Sequence, residues 1–119
     1  MKIKDNPIEK KSFAFSVRIV RLYKHLTQTQ REFVLSKQIL RSGTSIGANV
    51  SEAEYAQTKA DFHSKMSIAL KEANETHYWL RLLYASDYLS QSAFESMCND
   101  VNELIRLLIS ICKSTQQPQ

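Results

Sequence analysis

Two carboxylates, Glu72 and Glu75, fall in the series 68, 72, 75, 79, 82 with Ile68, Trp79 and Leu82, so on a helix they line up along a partly apolar seam. Paired carboxylates in a helical bundle can hold two iron ions, but that chemistry takes a Glu-x-x-His from each of two helices, and the chain contains none. A carboxylate withdrawn from water must then find a cation or donors, which predicts that Glu72 and Glu75 meet Arg41, Lys65 or a base of a neighbouring subunit. No metal and no cofactor are expected. The segment Arg41-Ser42-Gly43-Thr44-Ser45-Ile46-Gly47 has the small hydroxylated residues of a phosphate cradle but not its pattern, because Gly43 and Gly47 are only four apart and no lysine follows. Glycines at that spacing share one helix face and let a second helix come close. Arg18 and His25 form an Arg-x6-His pair, whereas His63 and His77 have no serine–acid or cysteine partner at a recognisable spacing. Two residues are too little to carry a catalytic reading, and the chain is not expected to be an enzyme.

The basic residues make a longer pattern. Lys11, Arg18, Arg21 and His25 step by seven, three and four along one helical face, flanked by Lys10 and Lys24. Residues 1–41 hold ten Lys/Arg against three Asp/Glu, and residues 42–119 hold six against nine, so the net charge of +4 is concentrated in the first third. Such a stripe can touch successive phosphates without reading bases, giving salt-dependent, sequence-tolerant binding. With Arg41, these residues form the candidate nucleic-acid-binding set.

The elements that position them follow from composition and pattern. A chain of 119 residues with two glycines and two prolines has length for one core and few breakers, which argues for one all-α domain. Four start signals, each a polar cap with a carboxylate three residues on, divide it: Asn6-Pro7-Ile8-Glu9, Thr29-Gln30-Arg31-Glu32, Thr58-Lys59-Ala60-Asp61 and Ser92-Ala93-Phe94-Glu95. Helices are expected at about 7–27, 30–57, 59–88 and 92–114, with a disordered tail at 115–119. The last helix has the clearest seam, Phe94, Met97, Val101, Leu104, Leu108 and Ile111, spaced as in a left-handed bundle. Leu35, Ile39, Ile46, Val50 and Ala53 supply the second helix, and Phe62, Met66, Ala69, Ala73, Leu80 and Leu83 the third. The expected fold is an antiparallel up-down four-helix bundle.

The first helix carries two apolar stripes, Phe13, Val17 and Val20 beside Phe15, Ile19, Leu22 and Leu26. One stripe suffices for a bundle core, so the second predicts a partner, an identical subunit being the usual one. Cys98 and Cys112 lie fourteen residues apart on one helix, roughly 21 Å along its axis, and cannot pair with each other. Two unpaired thiols, a polar start and no apolar run of membrane-spanning length lead to an expected cytoplasmic location without membrane association.

Three stretches, Gln38-Ile39-Leu40-Arg41-Ser42-Gly43-Thr44-Ser45-Ile46-Gly47-Ala48-Asn49, Glu52-Ala53, and Asp61-Phe62 through Lys71-Glu72-Ala73-Asn74-Glu75-Thr76-His77-Tyr78-Trp79-Leu80, together resemble the bacterial four-helix-bundle family of 23S ribosomal RNA intervening-sequence proteins. The resemblance spans nearly the whole chain. It implies a homopentameric barrel, and it marks Arg41, Glu52, Asp61, Lys65, Glu72, Glu75 and Trp79 as family positions with structural or subunit-interface roles. The family is also similar to the accessory variability protein of diversity-generating retroelements, which implies a nucleic-acid ligand and a reverse transcriptase as protein partner. The Arg18 and His25 spacing is that of nucleases of the higher-eukaryote-and-prokaryote nucleotide-binding helical-bundle superfamily. The expected function is therefore non-catalytic binding of RNA or DNA backbone by a basic oligomer, as an accessory to a nucleic-acid enzyme. The alternatives are an oligomeric scaffold for protein partners and, below it, an RNase.

Overall fold

The computed structural model describes residues 6–116, which form four α-helices: α1 (Ile8–Gln28), α2 (Leu35–Ala53), α3 (Lys59–Ala85) and α4 (Gln91–Thr115). Short connections turn each helix back along its predecessor, and α4 closes the ring against α1 to give an elongated bundle of 46 × 25 × 20 Å. Along α1, Ile8, Phe15, Ile19 and Leu26 point inward; the α2, α3 and α4 seams supply the rest of the core, with Phe94 only partly buried at its end. α1 and α2 approach closely at the two glycines. A Cβ on Gly43 would stand 2.6 Å from the Ile19 side chain, and one on Gly47 would stand 3.0 Å from Ser16 Oγ. The segment 41–47 is thus a helix-packing face.

Polar groups inside the bundle are satisfied in pairs. The buried Ser42 and Thr76 hydroxyls lie 2.9 Å apart and join α2 to α3, while Ser12 and Ser36 donate to the carbonyls of Glu9 and Glu32. Among the described residues no buried side-chain nitrogen or oxygen lacks a partner.

Helix boundaries depart from the expected ones where local side chains outcompete the simple capping pattern. Asn6 accepts from the Ile8 N–H at 2.8 Å and Thr58 from the Asp61 N–H at 3.0 Å, so the first and third start signals act as caps. Thr29 does not cap α2. Its N–H and that of Gln30 still bond the His25 carbonyl, Arg31 then enters a left-handed conformation (φ 56°), and the chain leaves α1 before α2 begins at Leu35 instead of about 30. The α2 start is held by the side chain of Glu32, which accepts from the N–H groups of Val34, Leu35 and Ser36 at 3.2, 3.0 and 2.7 Å. At the other end α2 stops at Ala53, short of 57, in a tight turn with Tyr55 N–H on Glu52 O and Ala56 N–H on Ala53 O. α3 ends at Ala85, not 88, because Asp87 takes a left-handed conformation (φ 69°) and Tyr88 N–H turns back to Leu83 O at 2.9 Å. α4 is capped by Ser90, whose side chain accepts from Ala93 N–H at 3.2 Å, so Ser92 lies inside the helix. Thr115 is still helical, and residues 117–119 of the expected tail lie outside the described residues.

Burial resists ionisation of Glu32, but the N–H groups of Leu35, Ser36 and Val34 and the Ser36 hydroxyl outweigh it and hold the carboxyl below its ordinary range. A depressed carboxylate stabilises the fold above its unfolded-state pKa and ceases to do so as the pH falls through the folded value. Glu32→Ala is therefore expected to cost about 1 kcal/mol at neutral pH. Thermal melts should show the gap between wild type and variant closing in acid; a gap that persists there would mean the charge of Glu32 is not what holds α2.

Candidate nucleic-acid interface

Lys11 and Arg18, which the sequence places on an uninterrupted basic stripe, are met by acids from α4. Lys11 Nζ lies 3.1 Å from Glu103 Oε1 across the α1–α4 seam. Arg18 is fixed more fully: Nη1 donates to Asp100 Oδ2 at 2.6 Å, and Nη2 donates to Ser96 Oγ at 2.9 Å. Ser96, Asp100 and Glu103 were not singled out by sequence. Their spacing of four and three puts them on one α4 flank, beside the inward series Met97, Val101 and Leu104, and that register was the available signal.

Further along α1 the stripe is open. Arg21, Lys24 and His25 are exposed, and among the described residues Arg21 and Lys24 enter no ion pair. His25 Nε2 lies 3.4 Å from Gln30 Nε2, and that amide also donates to Tyr88 O at 3.3 Å, tying the α1–α2 connection to the α3–α4 turn. A cleft of about 540 Å³ opens between these segments and the first turns of α4. Arg18, Arg21 and His25 line one wall; Leu22, Leu89 and Met97 supply apolar surface. Arg18 and His25, the Arg-x6-His pair, thus border the same cleft, but among the described residues the ring of His25 meets the Gln30 amide and no carboxylate.

Lys10 lies toward the other end, in a groove of about 660 Å³ between α1 and α2 with Glu9, Phe13, Ser16, Gly47 and Ala48. This larger groove is the poorer anion site. A hydrogen bond to Glu54, with burial and the Glu54 charge adding to it, raises the Glu9 pKa, the mark of two acids crowded together.

Arg41 serves a different cluster. Its guanidinium donates from Nη1 to Glu72 Oε2 at 2.9 Å and from Nη2 to Glu75, while Trp79 Nε1 donates to Glu75 Oε2 at 3.0 Å. The Trp79 N–H and the Arg41 donors, working against burial, lower the Glu75 pKa, and the hydrogen bond that Arg41 donates to Glu75 leads the effects that raise that of Arg41. The family-like positions Arg41, Glu72, Glu75 and Trp79 therefore form one α2–α3 clamp. Lys65 pairs instead with Glu52 at 3.2 Å, and Asp61 contributes its N–H to the α3 cap. Among the described residues no group of three or more His, Cys, Asp or Glu side chains is placed to hold a metal, and no helix is long and apolar enough to cross a membrane.

A search among curated proteins finds no match. Among solved structures, the chain is similar to a protein of unknown function from the S23 ribosomal protein family of Bacteroides thetaiotaomicron, with 60% sequence identity over 93% of this chain and 99% of that one and a TM-score of 0.90. Residues 4–110 match the model of the 23S rRNA-intervening sequence protein family, and with the four-helix architecture in place the chain belongs to that family.

Proposed function

We propose that the protein is a non-catalytic oligomer that binds RNA or DNA through the phosphate backbone, with Arg18, Arg21, Lys24 and His25 at the C-terminal half of α1 as its contact surface. The observation that carries this reading is the cleft in which Arg18, Arg21 and His25 converge, with Arg18 pre-oriented by Asp100 and Ser96. Guanidinium groups suit phosphate oxygens through their forked donors; that of Arg21 enters no ion pair among the described residues, while that of Arg18 is already engaged by Asp100 and Ser96 and borders the cleft in a fixed position. Lys11, Arg18 and Arg41 have their charge answered within the chain and would add less than Arg21 and Lys24. An accessory role beside a nucleic-acid enzyme is compatible with a small module that supplies affinity and no chemistry. Electrophoretic mobility shift with mixed-sequence RNA and DNA tests the reading: retarded complexes that dissolve at raised salt support it, and free migration of both at low salt counts against it.

A second reading rests on a separate observation. Phe13, Val17 and Val20 form a stripe on α1 that is 71%, 36% and 38% exposed, more apolar surface than a lone bundle needs, and Ile68 on the diagonally placed α3 is a further 40% exposed. This stripe favours self-association, in which the pentameric barrel is the specific form we propose, and the same surface would serve an oligomeric scaffold for protein partners. Light-scattering mass distinguishes the cases: five times the 13.7 kDa chain supports the barrel, and a monomer removes it. A pentamer that ignores nucleic acid would leave the scaffold as the function.

A further inference from the structure

Across α4 from the basic cleft lies a second cavity of about 400 Å³, between α3 and the start of α4, lined by Tyr78, Arg81, Leu82, Tyr84 and Phe94. Its rings are ordered against one another yet open to solvent. Tyr84 stacks on Phe94 with centroids 4.4 Å apart and planes 8° from parallel, and Tyr78 stands edge-on to Trp79 at 5.1 Å. Tyr78 is 52% exposed and Tyr84 37%. Arg81 beside them enters no ion pair among the described residues. Ala93 and Met97 border the basic cleft while Phe94 belongs to the aromatic cavity, so the two sites flank the same turns of one helix. A helix with its side chains is about 10–12 Å across, a span that a few nucleotides of extended chain cover.

A basic cleft can grip the phosphates of either a duplex or a single strand, but a duplex keeps its base faces inside its own stack. Exposed aromatic rings beside an unpaired guanidinium offer nothing to such a ligand and a stacking platform to unpaired bases. We infer that this end of the bundle takes single-stranded RNA or DNA, with phosphates in the Arg18, Arg21 and His25 cleft and one or two bases stacked at the Tyr84–Phe94 ledge. The inference rests on the proposed backbone binding and adds strandedness to it.

Fluorescence polarisation of the full chain, with a mixed-sequence strand alone and annealed to its complement, tests it. The single strand is expected to bind roughly tenfold more tightly, and Tyr84→Ala to remove that preference while leaving duplex affinity unchanged. Tyr84→Phe should bind as wild type does, and Arg21→Glu should weaken both ligands. Duplex binding equal to or tighter than single-strand binding, or an unaltered preference in a folded Tyr84→Ala protein, overturns the inference and leaves backbone binding standing. Absence of binding to either ligand overturns both. Should Tyr84→Ala fail to fold, Arg81→Glu decides, since its surface charge reversal should weaken the single strand selectively.

Discussion

Replacing Arg41 with methionine is expected to lower the stability of the bundle by about 2–3 kcal/mol, the largest loss we anticipate from a single surface-reaching side chain. The side chain of Glu72 is only 11% exposed and that of Glu75 30%, so removing the guanidinium leaves two adjacent carboxylates with little water, one indole N–H and the Lys71 charge near Glu75 to answer them. Half of Arg41 is exposed, which screens the pair and keeps the expected loss below that of a fully buried bridge. For a domain of this size the melting temperature should fall by roughly 10 °C. Adding Glu72→Gln to Arg41→Met should recover much of that loss, because an amide does not carry the stranded charge. An Arg41→Met protein that melts with wild type would show that the clamp contributes no stability.

The second large effect concerns ligand binding. Arg21→Glu combined with Lys24→Glu reverses two exposed charges that no acid in the described chain answers, so the bundle should fold normally and lose nucleic acid. Each lost phosphate contact should reduce the slope of log affinity against log salt by about 0.7–0.9 and, with repulsion added, weaken low-salt binding by more than tenfold. Lys11→Glu serves as the comparison. Its charge is already opposed by Glu103, and its reversal should disturb the α1–α4 seam more than it disturbs binding. Equal affinity of wild type and the double variant would place the contact surface elsewhere.

The parts of this arrangement that sequence made legible are those governed by periodicity. The α4 seam from Met97 to Ile111 and the α3 seam from Phe62 to Leu83 are buried as their spacing dictates, since an apolar side chain every third or fourth residue has only one face to occupy. That a second helix comes close at Gly43 and Gly47 was legible for the same reason; that it is α1 was not. A carboxylate on a partly apolar seam must find a cation, and Arg41 is the one that reaches Glu72 and Glu75. Features set by competition between neighbouring side chains were hidden. Thr29 and Glu32 have the spacing of a capping box, yet Glu32 alone takes three N–H groups and shifts the start of α2 to Leu35. The α1 stripe, free of acids within its own helix beyond Glu9, looked open along its length; Asp100 and Glu103 reach two of its members from 82 and 92 residues away in sequence. The cleft of Arg18, Arg21 and His25 depends on the α3–α4 turn at Tyr88 and Leu89, which no periodic signal places beside α1.

Backbone binding at this end of the bundle is tested most directly by the affinity of the wild-type protein for one mixed-sequence strand across a series of salt concentrations. The account predicts measurable binding at low salt that falls linearly on logarithmic axes, with a slope magnitude of at least about 2. No binding at the lowest salt, or an affinity that does not change with salt, would contradict it.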